Sequence, residues 1–431
     1  MNKEIITVED KSINEKCLIY RHKSGLTVCY APKKLSVTYV SLTVKFGALC
    51  QNVKFDDSDS YENLPDGVAH FLEHKIFARP DGSDALNELA YFGANGNAYT
   101  TENSTSYIFY CSENFEKNLE ILLDFVFNPY FTEENVKNEC GIIAEEIKMY
   151  EDNPSSKIYY NLLSAIYKNH GIVKNICGSC ESISKITPSL LYKIHGAFYK
   201  PSNMCLVISG DESFDSIINI VENSLNGYKQ SPVPEVKYFD EPLEINKRYI
   251  EDMCDVSEAS YIFGFKLAPI LSARECEKRS IAYDILEELL FGKASDFYNS
   301  LYERKLISQP ITLGFDFGNG YAFSSVSFSS VFAKETEAEI RAFIDKISGF
   351  SISESDFLRV KKFILANFVR DFDSTEAIAE NLVTDMVTGS NIFDCTQIIE
   401  EIDIDYLYNV LKNDFKTDKM AVSAIFPKGE K

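Results

Sequence analysis

Along the first half of the chain, apolar residues recur with a period of either about 2 or about 3.6 residues. The first period predicts strands and the second predicts helices, and the two occur in separate runs. Residues 116–128, for example, place Leu119, Leu122, Leu123 and Val126 on one face of an amphipathic helix. This succession of elements favours an α+β fold. The predicted strands span residues 17–22, 26–32, 36–48, 95–101, 105–111 and 203–210, and the predicted helices span residues 83–92, 116–128, 132–152, 155–168, 188–199 and 213–226.

The second half of the chain repeats part of the first half. Five residues between positions 186 and 204 recur 216 positions later without a gap, which indicates a duplicated domain. The identical pairs are Ile186 and Ile402, Leu191 and Leu407, Tyr192 and Tyr408, Lys200 and Lys416, and Met204 and Met420. Residues 230–235, which contain two prolines, form the predicted linker. We therefore predict two homologous domains, over residues 1–229 and 230–431.

Two of the five histidines fall in one short stretch that can bind a metal. His70 and His74 are four residues apart, so on a helix they lie on one face, and Glu73 stays on the same side. Two neutral imidazoles can hold Zn²⁺, and the carboxylate between them can act on a metal-bound water. The order His-x-x-Glu-His is the inverzincin signature. Asp66 is the predicted N-cap of this helix.

The predicted helix over residues 132–152 supplies the third ligand. Glu139 and Glu146 are two turns apart and share a face, and we predict that Glu146 binds the metal. Glu145 is the competing candidate, but it points about 100° away from that face. Three protein ligands and one open position are the catalytic zinc pattern. The opposing interpretation of Glu139 and Glu146 is an acidic helix face in an acidic protein.

These motifs resemble the pitrilysin (M16) metallopeptidases, the family of insulin-degrading enzyme and the mitochondrial processing peptidases. The resemblance extends over the chain and is strongest to bacterial two-domain members. It implies two homologous α+β domains, each an antiparallel sheet packed with helices, which enclose a chamber with a partner chain. The stretches that carry it are His70-x-x-Glu73-His74, residues 138–147 with Glu139 and Glu146, residues 93–100, and Glu181-Ser182-Ile183.

The resemblance also implies a role for each site residue. The implied roles are Zn²⁺ binding by His70, His74 and Glu146, general-base catalysis by Glu73 on a metal-activated water, catalytic support by Glu139, and substrate binding by Asn97 and Ala98. Glu139 would orient a histidine N–H rather than bind the metal. The strand around Asn97 would pair with an extended peptide. From the residues alone, Asn97 is equally well interpreted as a turn residue among glycines.

The second half departs from the family pattern. Family members normally bind the substrate with an Arg and a Tyr six residues apart, where this chain has Tyr302 and Ser308. Arg304 is a candidate substitute from a shifted position. The resemblance therefore implies a heterodimer with a homologous M16-like chain that supplies the Arg/Tyr pair, and a homodimer is the alternative. The second half contains no histidine, so domain 1–229 is predicted to be catalytic and domain 230–431 non-catalytic.

Composition argues against several other classes of function. The net charge of −22 disfavours nucleic acids and anionic membranes as partners. We see no signal peptide and no apolar run long enough to span a membrane. The eleven scattered cysteines are expected to be reduced thiols in the cytoplasm. Cys177 and Cys180 form a lone CxxC, for which a second zinc or redox site is the alternative to the favoured coincidence.

Two functions from different classes remain open at this stage. A zinc-dependent endopeptidase acting on small or unfolded peptides is favoured by the intact set of ligands and by Glu73. A non-catalytic structural or assembly subunit of the same fold is the alternative, which the missing Arg/Tyr pair keeps open.

Overall fold

A computed structural model describes residues 4–56, 58–238, 240–270 and 272–429. Its strands are β1 (Ile5–Asp10), β2 (Glu15–Arg21), β3 (Thr27–Pro32), β4 (Thr38–Val44), β5 (Asn52–Lys54), β6 (Glu62–Asn63), β7 (Asn95–Thr100), β8 (Thr105–Cys111), β9 (Met204–Gly210), β10 (Glu235–Val236), β11 (Tyr249–Cys254), β12 (Ala259–Lys266), β13 (Thr312–Gly318), β14 (Tyr321–Ser330) and β15 (Met420–Pro427). Helices and strands occur in separate runs, which confirms the α+β class.

The helices include all six of those predicted from periodicity. They are α1 (Val68–Lys75), α2 (Ala85–Tyr91), α3 (Phe115–Phe127), α4 (Glu133–Asp152), α5 (Pro154–Ile166), α6 (Cys180–Ile183), α7 (Pro188–Phe198), α8 (Phe214–Ser224), α9 (Ala273–Leu290), α10 (Asp296–Glu303), α11 (Ala333–Ile344), α12 (Glu354–Asp371), α13 (Thr375–Thr388), α14 (Cys395–Glu401) and α15 (Ile404–Asp414). Within the described residues, none of these helices has the length and apolar character needed to cross a membrane.

The chain forms two compact units. The first comprises Met1–Ile147, Lys174–Tyr238 and Val369–Phe393. Its main sheet has the strand order β1-β2-β3-β9-β4-β8-β7, and β10, β5 and β6 form a small second sheet. The two central strands, β4 and β9, are buried at every position. The edge strand β7 therefore lies at the opposite end of this sheet from the edge strand β1.

Helix α13 completes the core of the first unit. It packs against β4 and β9. Its Glu380 accepts one hydrogen bond from the Tyr39 hydroxyl, at 2.6 Å, and another from the Tyr99 hydroxyl. Because Tyr39 belongs to a central strand and Tyr99 to the edge strand β7, one carboxylate ties the edge of the sheet to its centre.

The second unit comprises Lys148–Val173, Phe239–Phe368 and Asp394–Lys431. Its sheet has the order β11-β15-β12-β14-β13, which corresponds strand for strand to β3-β9-β4-β8-β7 of the first unit. The pairing agrees as well: β15 runs parallel to β11 and antiparallel to β12, as β9 does with β3 and β4. The pairs α7 with β9 and α15 with β15 begin 216 residues apart, so the predicted repeat extends to the elements themselves.

The predicted antiparallel sheets are confirmed except for one pair of strands in each main sheet. Each main sheet contains one parallel pair, β3 with β9 and β11 with β15. The last strand of each repeat returns after a long helical connection and inserts between two earlier strands. A strand inserted there is antiparallel to one neighbour and parallel to the other, and the long connection makes the parallel pairing accessible.

The compact units do not follow the predicted limit between residues 229 and 230. Residues 148–173 belong to the second unit, and residues 369–393 belong to the first. Helices α4 and α12 each continue from one unit into the other. The domains 1–229 and 230–431 therefore stay a prediction about the repeated sequence, and a linear repeat cannot reveal which segments pack together.

Candidate metal centre

Helix α1 presents both predicted histidine ligands on one side. The rings of His70 and His74 have centroids 4.5 Å apart. The helix begins differently from the prediction, because Gly67 is the N-cap residue, with φ 86, and no side chain caps it. Asp66 instead forms an ion pair with Lys174 at 2.8 Å. The predicted Asp66 cap was therefore wrong, since the cation of Lys174 engages its carboxylate.

Helix α4 brings Glu146 to both histidines. One carboxylate oxygen lies 3.7 Å from His70 Nε2, and the other lies 3.5 Å from His74 Nε2. Glu145, the competing candidate, is exposed on the next face of the helix. The helix starts where predicted, because Thr132 Oγ1 accepts the Asn135 N–H at 3.1 Å. The three residues predicted to bind the metal are thus brought together.

His70 is held in the form that binds metals. It is 8% exposed, and burial followed by the nearby His74 lowers its pKa to about 3. The side chain is therefore neutral near pH 7, as a metal-binding imidazole must be. Within the part of the chain that the structure describes, its Nδ1 is buried and has no hydrogen-bond partner.

Glu139 lies behind the histidines, as predicted. One of its oxygens is 3.1 Å from His74 Nδ1, and the other accepts a hydrogen bond from Lys75 Nζ at 2.7 Å. Burial alone would raise the pKa of Glu139, but the hydrogen bonds from His74 and Lys75 outweigh it and lower the pKa. For His74 the signs are reversed, because burial lowers the pKa of an imidazole. The hydrogen bond to Glu139 and the charges of Glu73, Glu139 and Glu146 outweigh burial, so the pKa of His74 is raised overall.

Glu73 is the remaining acidic residue of the motif. It is buried, and one of its oxygens accepts a hydrogen bond from Thr100 Oγ1 at 2.5 Å. Burial raises the pKa of Glu73, while the Thr100 hydroxyl and His74 oppose that shift. A carboxylate whose pKa lies above its usual range is better suited to accept a proton. Thr100 ends strand β7, so this bond also ties Glu73 to the edge of the sheet.

The predicted substrate-binding residues occupy that edge strand. Asn97 is exposed and Ala98 is half-buried on β7, which among the described residues pairs with β8 on one side only. The Asn97 side-chain oxygen accepts the backbone N–H of Ala98 at 2.9 Å. The alternative interpretation of Asn97 as a turn residue was wrong, because residues 95–100 pair in register with β8.

The structure brings to this centre a cysteine that sequence analysis did not assign to it. Cys177 Sγ lies 3.7 Å from His70 Nε2. One potential ligand atom from each of His70, Glu146 and Cys177 lies within 4.8 Å of the other two, and His74 is not part of this compact group. Burial and the charges of Glu146 and Glu73 raise the pKa of Cys177 to about 12. The CxxC motif was the available signal in the sequence.

Part of the donor set at this centre has the spacing of a zinc site, and His74 lies outside the compact group of His70, Glu146 and Cys177. Around a tetrahedral Zn²⁺ with bonds of about 2.0–2.3 Å, ligand atoms are separated by roughly 3.3–3.8 Å. The contacts of 3.5 and 3.7 Å at Glu146 and of 3.7 Å between His70 and Cys177 fall within that range. Nitrogen, carboxylate oxygen and sulfur are also the ligand types that zinc accepts.

The second unit contains Tyr302, Arg304 and Ser308, the stretch in which this chain lacks the Arg/Tyr pair of the family. Arg304 is already engaged, because its guanidinium lies 3.1 Å from Glu335 and 2.8 Å from Glu339. Tyr302 is 56% exposed, and its ring stacks on Tyr298 of the same helix. Nothing at these positions supports a shifted arginine in place of the missing Arg/Tyr pair.

This chain is similar to known protein families and to individual proteins. A model of the insulinase family (Peptidase family M16) matches residues 38–179, and a model of the peptidase M16 inactive domain matches residues 185–364. The uncharacterized zinc protease YmfH of Bacillus subtilis is 32% identical over 98% of this chain and 99% of its own length. The sequence motif and the metal centre lie in the part of the chain that the first of these models covers.

Two solved structures share the fold. An M16-like peptidase from Alicyclobacillus acidocaldarius superposes with a TM-score of 0.89 and 28% identity, and the match covers 99% of both chains. The periplasmic protease PqqL of Escherichia coli superposes with a TM-score of 0.76 and 16% identity over 99% of this chain but 48% of its own. The second likeness concerns the fold alone.

Proposed function

Because this chain belongs to the insulinase family of peptidases, M16, we propose that it is a zinc-dependent endopeptidase that hydrolyses peptide bonds in small or unfolded peptides. The observation that carries the proposal is the position of Glu146, whose two oxygens contact the Nε2 atoms of His70 and His74. These three side chains come from two different helices and converge beside the buried carboxylate of Glu73.

Each side chain at the centre has a distinct task in this proposal. His70, His74 and Glu146 would hold Zn²⁺, which when bound would polarise a peptide carbonyl and acidify a water molecule. Glu73 would accept a proton from the attacking water and deliver it to the leaving amine. The raised pKa of Glu73 suits this task, and the Thr100 hydroxyl fixes one of its oxygens.

Glu139 is a positioning residue in this proposal. By accepting the Nδ1–H of His74, it fixes the ring so that Nε2 faces Glu146. Lys75 holds the second oxygen of Glu139 and keeps that carboxylate ionised. Because Glu139 faces Nδ1 of His74 and not Nε2, the nitrogen that faces Glu146, its removal should weaken metal binding first and catalysis as a consequence.

The free edge of β7 is the proposed site of substrate pairing. A peptide added there as a further strand would gain main-chain hydrogen bonds with little demand on its sequence. Such bonds contribute only about 0.5–1.5 kcal/mol each. Peptides that are already extended or unfolded are therefore the favoured substrates.

We further propose a heterodimer with a homologous M16-like chain that carries the Arg/Tyr pair. Tyr302 and Ser308 replace that pair in this chain, and Arg304 is engaged by two glutamates. The size of the PqqL chain supports paired halves, because this fold accounts for 48% of it. Activity should therefore rise when a homologous partner is added. Full activity of the isolated chain, unchanged in Arg304→Ala, would contradict the need for a partner.

The experiment that tests the peptidase proposal is cleavage of a generic quenched peptide. We expect cleavage to stop when a chelator removes the metal and to return when Zn²⁺ is added. Cleavage by protein that is shown to be free of metal would contradict a zinc mechanism. Absence of cleavage with zinc bound and the partner present would favour the alternative, a non-catalytic subunit.

A further inference from the structure

A cysteine lies where the proposed zinc site should keep a position open. Cys177 Sγ is 3.7 Å from His70 Nε2, and its sulfur shares a compact group with ligand atoms of His70 and Glu146. Cys177 is 5% exposed, so its sulfur faces the interior rather than solvent. A zinc ion placed among these residues would therefore have three protein ligands in reach, and His74, whose Nε2 lies 3.5 Å from a Glu146 oxygen, would be the fourth.

The backbone holds this cysteine against the metal helix. A Cβ atom on Gly67 would lie 2.3 Å from the Cys177 carbonyl oxygen, and one on Gly178 would lie 2.4 Å from the Asp66 carbonyl oxygen. The Ser182 hydroxyl donates to that same Asp66 oxygen at 2.7 Å. These close backbone contacts at Gly67 and Gly178 restrict the position of the loop that carries Cys177. The backbone therefore holds the Cys177 sulfur close to His70.

A cysteine sulfur this close to the proposed ligands could itself bind the zinc ion. Thiolate is a strong zinc ligand, and a zinc site closed by four protein ligands has no position for water, whereas catalytic sites keep one open. A metal ion also deprotonates a thiol that coordinates it. A thiol beside the proposed ligands can therefore convert a catalytic site into a closed one by a change of one bond.

We propose that Cys177 is a fourth zinc ligand that closes the site in a resting form of the enzyme. This inference rests on the proposed function, because it concerns the same metal. On closing, the metal–sulfur bond forms and the thiol proton passes to solvent. On opening, that bond breaks, the sulfur takes up a proton, and the vacated position becomes accessible to water. The exchange needs no oxidant or reductant.

The test uses the full chain, freed of metal and loaded with Co²⁺, which reports its ligands by colour. A thiolate ligand gives a near-ultraviolet charge-transfer band that nitrogen and oxygen ligands do not give. We expect one bound Co²⁺ with this band in the wild type, and loss of the band in Cys177→Ala. Cys180→Ala is the matched control, because Cys180 is three residues away and exposed, and it should retain the band.

A second readout concerns the balance between binding and turnover. Cys177→Ala should bind zinc roughly tenfold more weakly or worse, because it loses a ligand, and its activity per bound zinc should rise several-fold. A cysteine that serves only for packing would change neither quantity in this direction. Lower activity per bound zinc in Cys177→Ala would contradict a closing role.

The outcomes separate this inference from the proposed function. A wild-type chain that binds one Co²⁺ without a thiolate band overturns the Cys177 ligand and leaves the zinc peptidase standing. A wild-type chain that binds no metal overturns both. Because the wild-type spectrum needs no substitution, the test holds even if Cys177→Ala fails to fold.

Discussion

At the scale of single residues, spacing along the sequence predicted the histidines and glutamates of the metal centre but not its cysteine. His70 and His74 are one helical turn apart, and Glu139 and Glu146 are two turns apart, so their faces follow from helix geometry. Cys177 lies 107 residues from His70 and reaches it through the glycine contact at Gly67. No local pattern specifies such an approach, which is why the CxxC motif appeared to be a coincidence.

The first prediction separates metal binding from chemistry at Glu73. Glu73→Gln should retain zinc, because this carboxylate is the proposed base and not a ligand. Peptidase activity should fall by roughly 10²–10⁴-fold, the usual contribution of a positioned proton acceptor. Zinc content and turnover of the same preparation check this, and wild-type turnover would show that another group is the base.

The second prediction concerns the support of His74. Glu139→Gln should weaken zinc binding by roughly 10–100-fold, as expected for a group that orients a ligand. The matched control is Glu134→Gln, an exposed glutamate of the same helix, which should leave zinc affinity unchanged. A competition titration against a zinc chelator measures both. Equal affinities in the two variants would contradict the role of Glu139.

At the scale of elements, the ends of helices were predictable where a side chain caps the backbone. Thr132 begins α4, and Asn153 caps α5 by accepting the backbone N–H groups of Ser155 and Ser156. The start of helix α1 was not predictable in this way, because a tertiary contact and not a side-chain cap fixes it at Gly67.

Strand β1 was not predicted for a different reason. Most of its positions are exposed, and its sequence shows no clear alternation of apolar and polar residues.

The third prediction tests that contact. Gly67→Ala should destabilise the protein by more than about 3 kcal/mol, because a side chain is strained at its positive φ and would also collide with Cys177. Gly82 shares the positive φ but has nothing within 4 Å of an added Cβ, so Gly82→Ala should cost only about 1 kcal/mol. Denaturant unfolding of both variants compares them, and equal losses would argue against the close approach.

At the scale of the whole molecule, the repeat was predictable and its packing was not. Leu191 and Leu407 lie in matching helices, and Met204 and Met420 lie in matching strands, since local sequence determines those elements. The insertion of β9 and β15 between earlier strands, and the exchange of residues 148–173 and 369–393 between units, depend on contacts far apart in sequence. Such contacts leave no trace in periodicity.

The fourth prediction concerns acid stability. His195 is buried, its Nε2–H donates to the Val126 carbonyl oxygen at 2.8 Å, and burial lowers its pKa from 6.5 to about 4. His195 therefore becomes protonated below about pH 6.5 in the unfolded chain but only below about pH 4 in the folded chain. The free energy of unfolding consequently falls as the pH falls from 6.5 to about 4. The loss should reach about 3 kcal/mol, at about 1.4 kcal/mol per pH unit.

Unfolding measured against pH in the wild type and in His195→Gln isolates this contribution. The variant lacks the titrating ring, so the difference between the two proteins should change by about that amount between near-neutral and mildly acidic pH. Parallel stability profiles would mean that His195 is not the group responsible.

The zinc content of the purified chain tests the proposed metal centre most directly. We expect one zinc per chain in the wild type and in Glu145→Gln, whose side chain is exposed. His74→Ala should lose the metal, because His74 is one of the three proposed ligands and its Nε2 lies 3.5 Å from Glu146. Full zinc occupancy in His74→Ala, or no zinc in the wild type, would contradict the assignment.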